Sequence, residues 1–325
     1  MASSGGQRDR RRPRPLIRAA YLAAEGFLDP LAEELTRHGA TITAWHGRLA
    51  LSSDPPVPVS WSLNTWLAPR EIAATSIGEA AAALRAIQRN WGSYQATNFR
   101  RAALITAKLP VLKPKPLAFP QMRPAGHLGA WTLLEPGRVL ASPTQSSPFI
   151  NGEPIFLEDR AGPPSRAYLK LWEACTLLGA WPRPGETCLD LGASPGGWTW
   201  ALAKLGARVT AVDRAPLDPA VAAMPGVTMR QESAFGLDSG AEPAVDWLFS
   251  DVVAYPSRLL RLVQNWIAAG RVRHVVCTVK FQGATDHESA AAFAAIPGGT
   301  LRHLFHNKHE LTFLWRNLPT DEGLL

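Results

Sequence analysis

The run Cys188-Leu-Asp-Leu-Gly-Ala-Ser-Pro-Gly-Gly-Trp-Thr-Trp-Ala-Leu202 sets an apolar stretch ahead of a turn of small residues, which then opens into helix-forming sequence. Its chemistry-bearing positions are Asp190, Gly192, Ser194, Pro195, Gly196, Gly197 and Trp198. Glycines in such a turn let the backbone approach a ligand as only a residue without Cβ can. Ligands of open α/β sheets sit beyond the carboxyl ends of the strands that feed such turns. Neither Gly-x-Gly-x-x-Gly nor Gly-Lys-Ser/Thr is present, which disfavours a phosphate cradle. Roughly twenty residues on, the next strand-like run ends in Val212-Asp213, where an acid can accept both hydroxyls of a ribose. A third run, Val227–Arg230, leads into Glu232-Ser233, suited to an adenine edge.

These residues need a scaffold. From about Pro163 the sequence alternates: helix (Arg166–Leu178), strand (Thr187–Leu191), turn, helix (Trp198–Leu205), strand (Arg208–Val212). Further strands follow at Trp247–Ser250 and His274–Val279, which predicts an α/β fold with a Rossmann-like, doubly wound, mainly parallel sheet. Upstream, Arg18–Ala24 reads as a strand, and Leu28, Leu31 and Leu35 mark a helix that stops at Gly39. Two short β runs flank His46-Gly47; Glu71–Ser76 is a strand candidate and Ile77–Gln88 an Ala-rich helix. The order β-α-β-β-α is compatible with a ferredoxin-like α+β unit. Residues 108–126 hold five prolines and read as an extended crossing, and Gly129–Ala141 as a hairpin turned at Glu135-Pro136-Gly137. No internal repeat is visible.

At 325 residues and 46% hydrophobic, the chain has material for about two domains. No run approaches the ~18 apolar residues of a membrane span, and the basic start lacks the apolar core of a secretory signal. Cys175, Cys188 and Cys277 are widely spaced and odd in number, which indicates neither a disulfide framework nor a zinc site. A soluble, cytoplasmic protein is the expectation. The net charge of +7 is uneven: residues 1–155 carry 18 Lys+Arg against 10 Asp+Glu (+8), and residues 156–325 carry 16 against 17 (−1). That split points to a polyanion-binding first half. Five of its charges lie in Arg8, Arg10, Arg11, Arg12 and Arg14, within a segment 1–15 that reads as a disordered basic tail. Because 27 of the 34 basic residues are Arg, a GC-rich genome would produce part of the same bias.

The pattern Asp-x-Gly-x-x-Pro-Gly-Gly-Trp, with an acid at the next strand end, resembles the S-adenosylmethionine site of the FtsJ-like ribose methyltransferases. That resemblance implies S-adenosylmethionine as cofactor, RNA as substrate, no metal, and a Lys–Asp–Lys–Glu tetrad. Each member has a counterpart: Lys170 in Ser165-Arg-Ala-Tyr-Leu-Lys170-Leu, Asp251 ending Asp246-Trp-Leu-Phe-Ser-Asp251, Lys280 ending Val275-Val-Cys-Thr-Val-Lys280, and Glu310 in His306-Asn-Lys-His-Glu310-Leu-Thr. Only seven lysines occur, and two stand at required positions. A ribose 2′-hydroxyl is a weak nucleophile, so such a site must align it and ease the loss of one proton. Lys280 is the candidate base, its proton affinity lowered by Lys170, with Asp251 and Glu310 orienting both ammonium groups.

The stretch SPFINGEPIFLEDRAGPPSRAYLKLWEA further resembles the large-subunit ribosomal RNA cytidine 2′-O-methyltransferase branch, and the likeness covers about residues 145–316. It implies 23S ribosomal RNA or its precursor as partner and a THUMP-like RNA-binding region in front. Ser233 stands where that branch usually has an Asp, with Glu232 as the adjacent substitute, and Ala167 replaces a small polar residue. The expected layout is a tail (1–15), an α+β RNA-binding domain (16–150), a methyltransferase domain (151–318) and a second tail (319–325). Transfer RNA or a messenger cap are alternative substrates, and a catalytically inactive RNA-binding or assembly factor is the rival of another class. A nicotinamide-dependent oxidoreductase is disfavoured by the absent glycine fingerprint. Among twelve tryptophans, Trp61, Trp66 and Trp91 are candidates for stacking on bases, whereas Trp198, Trp200, Trp247 and Trp315 read as core.

Overall fold

The computed structural model describes residues 15–317, so the segment 319–325 and all but the last residue of 1–15 lie outside the described residues. The chain opens with β1 (Ala19–Ala23), α1 (Leu28–Arg37), β2 (Ile42–His46), β3 (Leu49–Ser52) and β4 (Ser62–Trp66). These four strands form an antiparallel sheet of order β2-β3-β1-β4. This is the split β-α-β arrangement expected of a ferredoxin-like unit, with one helix fewer. Residues 53–61 carry Pro55, Pro56 and Pro58 and run without regular structure between β3 and β4. Proline lacks the N–H that a helix interior needs, so no second helix forms there.

The Ala-rich helix foreseen at 77–88 belongs instead to a second sheet. Its elements are β5 (Arg70–Ala73), α2 (Ile77–Ile87), β6 (Trp91–Ser93), α3 (Phe99–Thr106), β7 (Gly129–Glu135) and β8 (Arg138–Ser142), in strand order β5-β8-β7-β6. A capping box between Ser76 and Glu79 starts α2. The β7–β8 hairpin pairs Glu135 with Arg138, leaving Pro136-Gly137 as the turn. Between the sheets and the rest of the chain, the proline-rich crossing is tied down: Phe119 stacks on Trp172 at 5.2 Å, and Leu117 bridges to Phe156.

The second half comprises α4 (Tyr168–Leu178), β9 (Thr187–Leu191), α5 (Gly197–Lys204), β10 (Arg208–Asp213), α6 (Pro219–Ala222), β11 (Val227–Gln231), β12 (Val245–Ser250), α7 (Pro256–Ala268), β13 (Val272–Lys280), α8 (His287–Ala294), β14 (Gly299–Arg302) and β15 (Glu310–Arg316). Its seven strands are ordered β11-β10-β9-β12-β13-β15-β14. The first five run parallel, and β15 is antiparallel to both neighbours. Side chains alternate between the two faces of each strand. Leu189, Leu191, Leu248 and Cys277 accordingly enter one core, and Cys188, Trp247, Phe249 and Val276 the other. Strand order reverses between β9 and β12, and that reversal opens a crevice beyond their carboxyl ends.

Strand β1 joins the halves. Its Ala19, Tyr21 and Ala23 share a core with the seven-stranded sheet, while Ala20 and Leu22 face the second sheet. Trp61 and Trp66 flank this junction and are 1% and 0% exposed, and Trp91 is 4% exposed. None of the three is free to stack on a base. They were misassigned because the halves share their cores, so aromatic residues of the basic half serve as packing. Trp198, Trp200, Trp247 and Trp315 are buried as expected. The three cysteines are buried and unpaired. Among the described residues no helix is long and apolar enough to cross a membrane, and no group of three or more His, Cys, Asp or Glu side chains is placed to hold a metal ion.

Candidate active site

The glycine turn is packed tightly against its own neighbours. Gly192 follows β9 with φ +76°, and a Cβ there would lie 2.6 Å from the Val252 Cα. The Asp251 N–H donates to the Leu191 carbonyl at 3.2 Å, so the two walls of the crevice meet at backbone distance. Gly196, with φ +116°, turns the chain into α5, and a Cβ on Gly197 would strike the Ser165 hydroxyl. The Ser194 and Ala215 N–H groups donate to the two carboxylate oxygens of Asp213, at 3.1 and 2.9 Å, while the Asp218 N–H donates to the Pro195 carbonyl at 2.9 Å. Trp198 lies behind the turn, not in the crevice: it is 3% exposed and its Nε1 donates to the Ala167 carbonyl.

Asp190 is fully buried. Thr199 Oγ1 donates to its Oδ2 at 2.6 Å, and Oδ1 has no partner. Burial pushes its pKa up to about 7, despite the Thr199 hydrogen bond. Glu232 accepts from Arg230 Nε at 2.6 Å, and Arg230 also makes a two-pronged pair with Glu242; Ser233 stands half-buried beside them. An unpartnered buried carboxylate oxygen and a turn that only glycine lets fold this tightly at the switch point both fit the cofactor implied by the sequence.

All four members of the expected tetrad come together. Lys170 Nζ, on α4, lies 2.9 and 3.0 Å from the Asp251 carboxylate oxygens and 3.0 Å from Glu310 Oε1. Lys280 Nζ lies 2.9 Å from Asp251 Oδ1 and also donates to the Asp251 carbonyl. Strand register accounts for the convergence: Asp251 follows β12, Lys280 ends β13, and Glu310 opens β15 directly opposite Lys280. Burial opposes both charges, yet each is outweighed. Asp251 and Glu310 hold the Lys170 ammonium above its ordinary pKa, and Lys170 and Lys280 hold the Asp251 carboxyl below its own. Two ammonium and two carboxylate groups leave the cluster near neutral.

Two contributors escaped the sequence reading. Thr278 Oγ1 donates to Asp251 Oδ1 at 2.6 Å. Standing two residues before Lys280 on one strand, Thr278 shares its face, and the period of two was the available signal. Glu173 is 2% exposed and accepts from the Phe305 and His306 N–H groups at 2.8 and 3.1 Å, with His306 Nδ1 at 2.7 Å. It shapes the turn that delivers Glu310. No local pattern signals it, because its partners lie more than 130 residues away in sequence.

An open, mostly parallel sheet with a glycine turn at its switch point and a lysine–carboxylate cluster beside it defines a Rossmann-like fold of the methyltransferase type. The sequence resemblance holds: residues 163–288 match the family model of the FtsJ-like methyltransferases. The chain is 39% identical over 165 residues to the ribosomal RNA large subunit methyltransferase M of Halorhodospira halophila, covering 48% of each chain. To the protein of the same name from Laribacter hongkongensis it is 34% identical over 226 residues, covering 61% of this chain and 63% of that one. The chain thus spans about half the length of the first curated relatives it matches. Among solved structures, the Methanococcus jannaschii fibrillarin pre-rRNA processing protein is similar at 18% identity and a TM-score of 0.34, covering 46% of this chain and 75% of that one.

Proposed function

We propose that this protein transfers a methyl group from S-adenosylmethionine to a ribose 2′-hydroxyl of RNA, with a cytidine of 23S ribosomal RNA as the target. The observation that carries the reading is the near-neutral cluster of Lys170, Asp251, Lys280 and Glu310, built against the glycine turn at the switch point of the sheet. The named relatives support the RNA class. When bound, S-adenosylmethionine supplies a methyl group already activated as an electrophile. Gly192, Gly196 and Gly197 let the turn close against Val252, Val221 and Ser165 and so shape the crevice that would take it, Asp213 faces its ribose hydroxyls, and Glu232 and Ser233 flank its adenine. Asp190, wholly buried beneath the turn, supports it from behind through Thr199.

The chain's own work is alignment and proton handling. Lys170, held by both carboxylates, keeps its proton and acts as a fixed cation. Lys280 Nζ first gives up one proton to solvent, and the neutral amine then hydrogen-bonds the 2′-hydroxyl and accepts its proton as the methyl group is transferred, while Asp251, itself held by Thr278, fixes where that nitrogen points. Residues 16–150 serve as the RNA-positioning part and 151–318 as the catalytic part, working in the cytoplasm on 23S ribosomal RNA or a large-subunit precursor. An inactive RNA-binding factor would have no use for two lysines and two carboxylates locked in this geometry.

The test is a map of ribose methylation across total RNA from cells with and without the protein, repeated with Lys280→Ala. Loss of one 2′-O-methyl site in both the null and the variant, with S-adenosylmethionine still bound by the variant, supports the proposal. An unchanged map overturns it.

A further inference from the structure

A cavity of about 580 Å³ is walled in part by Phe305, on the segment that leads to Glu310. Leu117, Ile155 and Phe305 give it an apolar wall, and Lys113, Lys115 and Asn90 contribute its polar lining. Its position follows from one turn of chain that serves two sites. Phe305 lies five residues before Glu310, and its N–H is held by Glu173. Glu173 stands three residues after Lys170 on α4, a rise of about 4.5 Å along the helix. Glu173 thereby ties the Phe305 backbone to the helix that carries Lys170.

Chemistry narrows what enters. Ile155 is 55% exposed and Phe305 42%, so large apolar side chains face solvent at the mouth of a site where burial would be favourable. Lys113 and Lys115 have no carboxylate or hydrogen-bond partner among the described residues, while the one acidic lining residue, Glu153, is already held by Arg48 at 3.1 Å. The side-chain oxygen of Asn90 is likewise without a protein partner. An aromatic platform, unpaired ammonium groups and an unpartnered amide oxygen are a combination suited to single-stranded nucleic acid: base on ring, phosphate on lysine, base edge on the amide oxygen. None of the other three lysines, Lys108, Lys204 and Lys308, lines this cavity or belongs to the tetrad.

We propose that this cavity receives a nucleobase of the substrate RNA strand neighbouring the methylated nucleotide, stacked on Phe305, with the flanking phosphates on Lys113 and Lys115. The proposal rests on the RNA reading above. It is tested with the full chain and a short single-stranded oligoribonucleotide, by fluorescence anisotropy across a salt series. Phe305→Ala should weaken binding by about fivefold to a hundredfold, as for loss of one stacked base. Phe305→Trp should restore it. Lys113→Ala/Lys115→Ala should lower the slope of log affinity against log salt by about 1.4, the share of two phosphate contacts on a single strand. On an oligonucleotide of abasic sites, wild type and Phe305→Ala should bind alike.

Wild-type affinity in Phe305→Ala, an unchanged slope in the lysine variant, or equal weakening on the abasic strand would each overturn it, the last because Phe305 would then act only on the fold. If the wild type binds with these dependences but methylates nothing, the function proposed above falls and the cavity stands. If it methylates RNA while the variants keep their affinity and KM, the cavity falls and the function stands.

Discussion

Replacing Lys170 by Met keeps the length of the side chain and removes its charge from between two carboxylates. Lys170, Asp251 and Glu310 side chains are 12%, 17% and 6% exposed, so the pairs are largely desolvated. Breaking a buried pair from one side costs about 3–5 kcal/mol, chiefly because a charge is left uncompensated. Residual exposure favours the lower figure, about 3 kcal/mol, which for a protein of this size lowers Tm by about 4 °C. Adding Glu310→Gln to Lys170→Met leaves Asp251 with Lys280 and restores neutrality, so the double variant should regain about half of the loss. The pH dependence has a definite sign. The Asp251 pKa is depressed in the fold, so the stability it contributes is present above its unfolded value of 3.8 and lost as pH falls. The Lys170 penalty should therefore be full at pH 7 and shrink below about pH 4. Urea unfolding of wild type, single and double variants at both pH values measures this. A loss below about 1 kcal/mol at pH 7, or a double variant no better than the single, would refute the charge-balance argument.

Three further outcomes follow from the crevice. Asp190 carries a raised pKa of about 7, so wild-type stability should fall as pH rises from about 4 to about 7, by on the order of 4 kcal/mol from this group; Asp190→Asn should flatten that window in urea titrations, and parallel curves would contradict it. Gly192→Ala, forced to φ +76° with its Cβ against the Val252 backbone, should lower Tm and abolish S-adenosylmethionine binding in calorimetry, whereas wild-type binding would show that the turn is looser than drawn. Cys175, Cys188 and Cys277 are buried with their thiols pushed up in pKa, so native protein should resist iodoacetamide at pH 8 and label only in denaturant, as mass spectrometry reads directly.

The second half was legible because its signals are local. Strand, small-residue turn and helix follow one another within fifteen residues around Gly192, and Asp251 and Lys280 each end an apolar strand. Register then carries Glu310 to Lys280, which alternating apolar runs foreshadow. The first half resisted for the opposite reason. Whether Trp61 is surface or core depends on Phe27, Phe281, His303 and His309, whose rings lie 5.2 to 5.7 Å away and come from three distant stretches of chain. A composition-based charge split says that a half is basic, not which of its aromatic residues the other half covers. Phe305 was missed likewise, since its exposure depends on Glu173 and on a proline-rich crossing packed from far upstream.

Strand β15 is made after β13 and β14 yet lies between them. Until it arrives, β14 has no neighbour within its sheet and the Lys280 end of β13 lacks its opposing carboxylate. On a growing chain, the glycine turn, Asp251 and both lysines are therefore in place before Glu310 is inserted. On the proposed function, the sheet order makes the pairing of β15 the step that completes the cluster, so proton transfer is the last competence a nascent chain acquires.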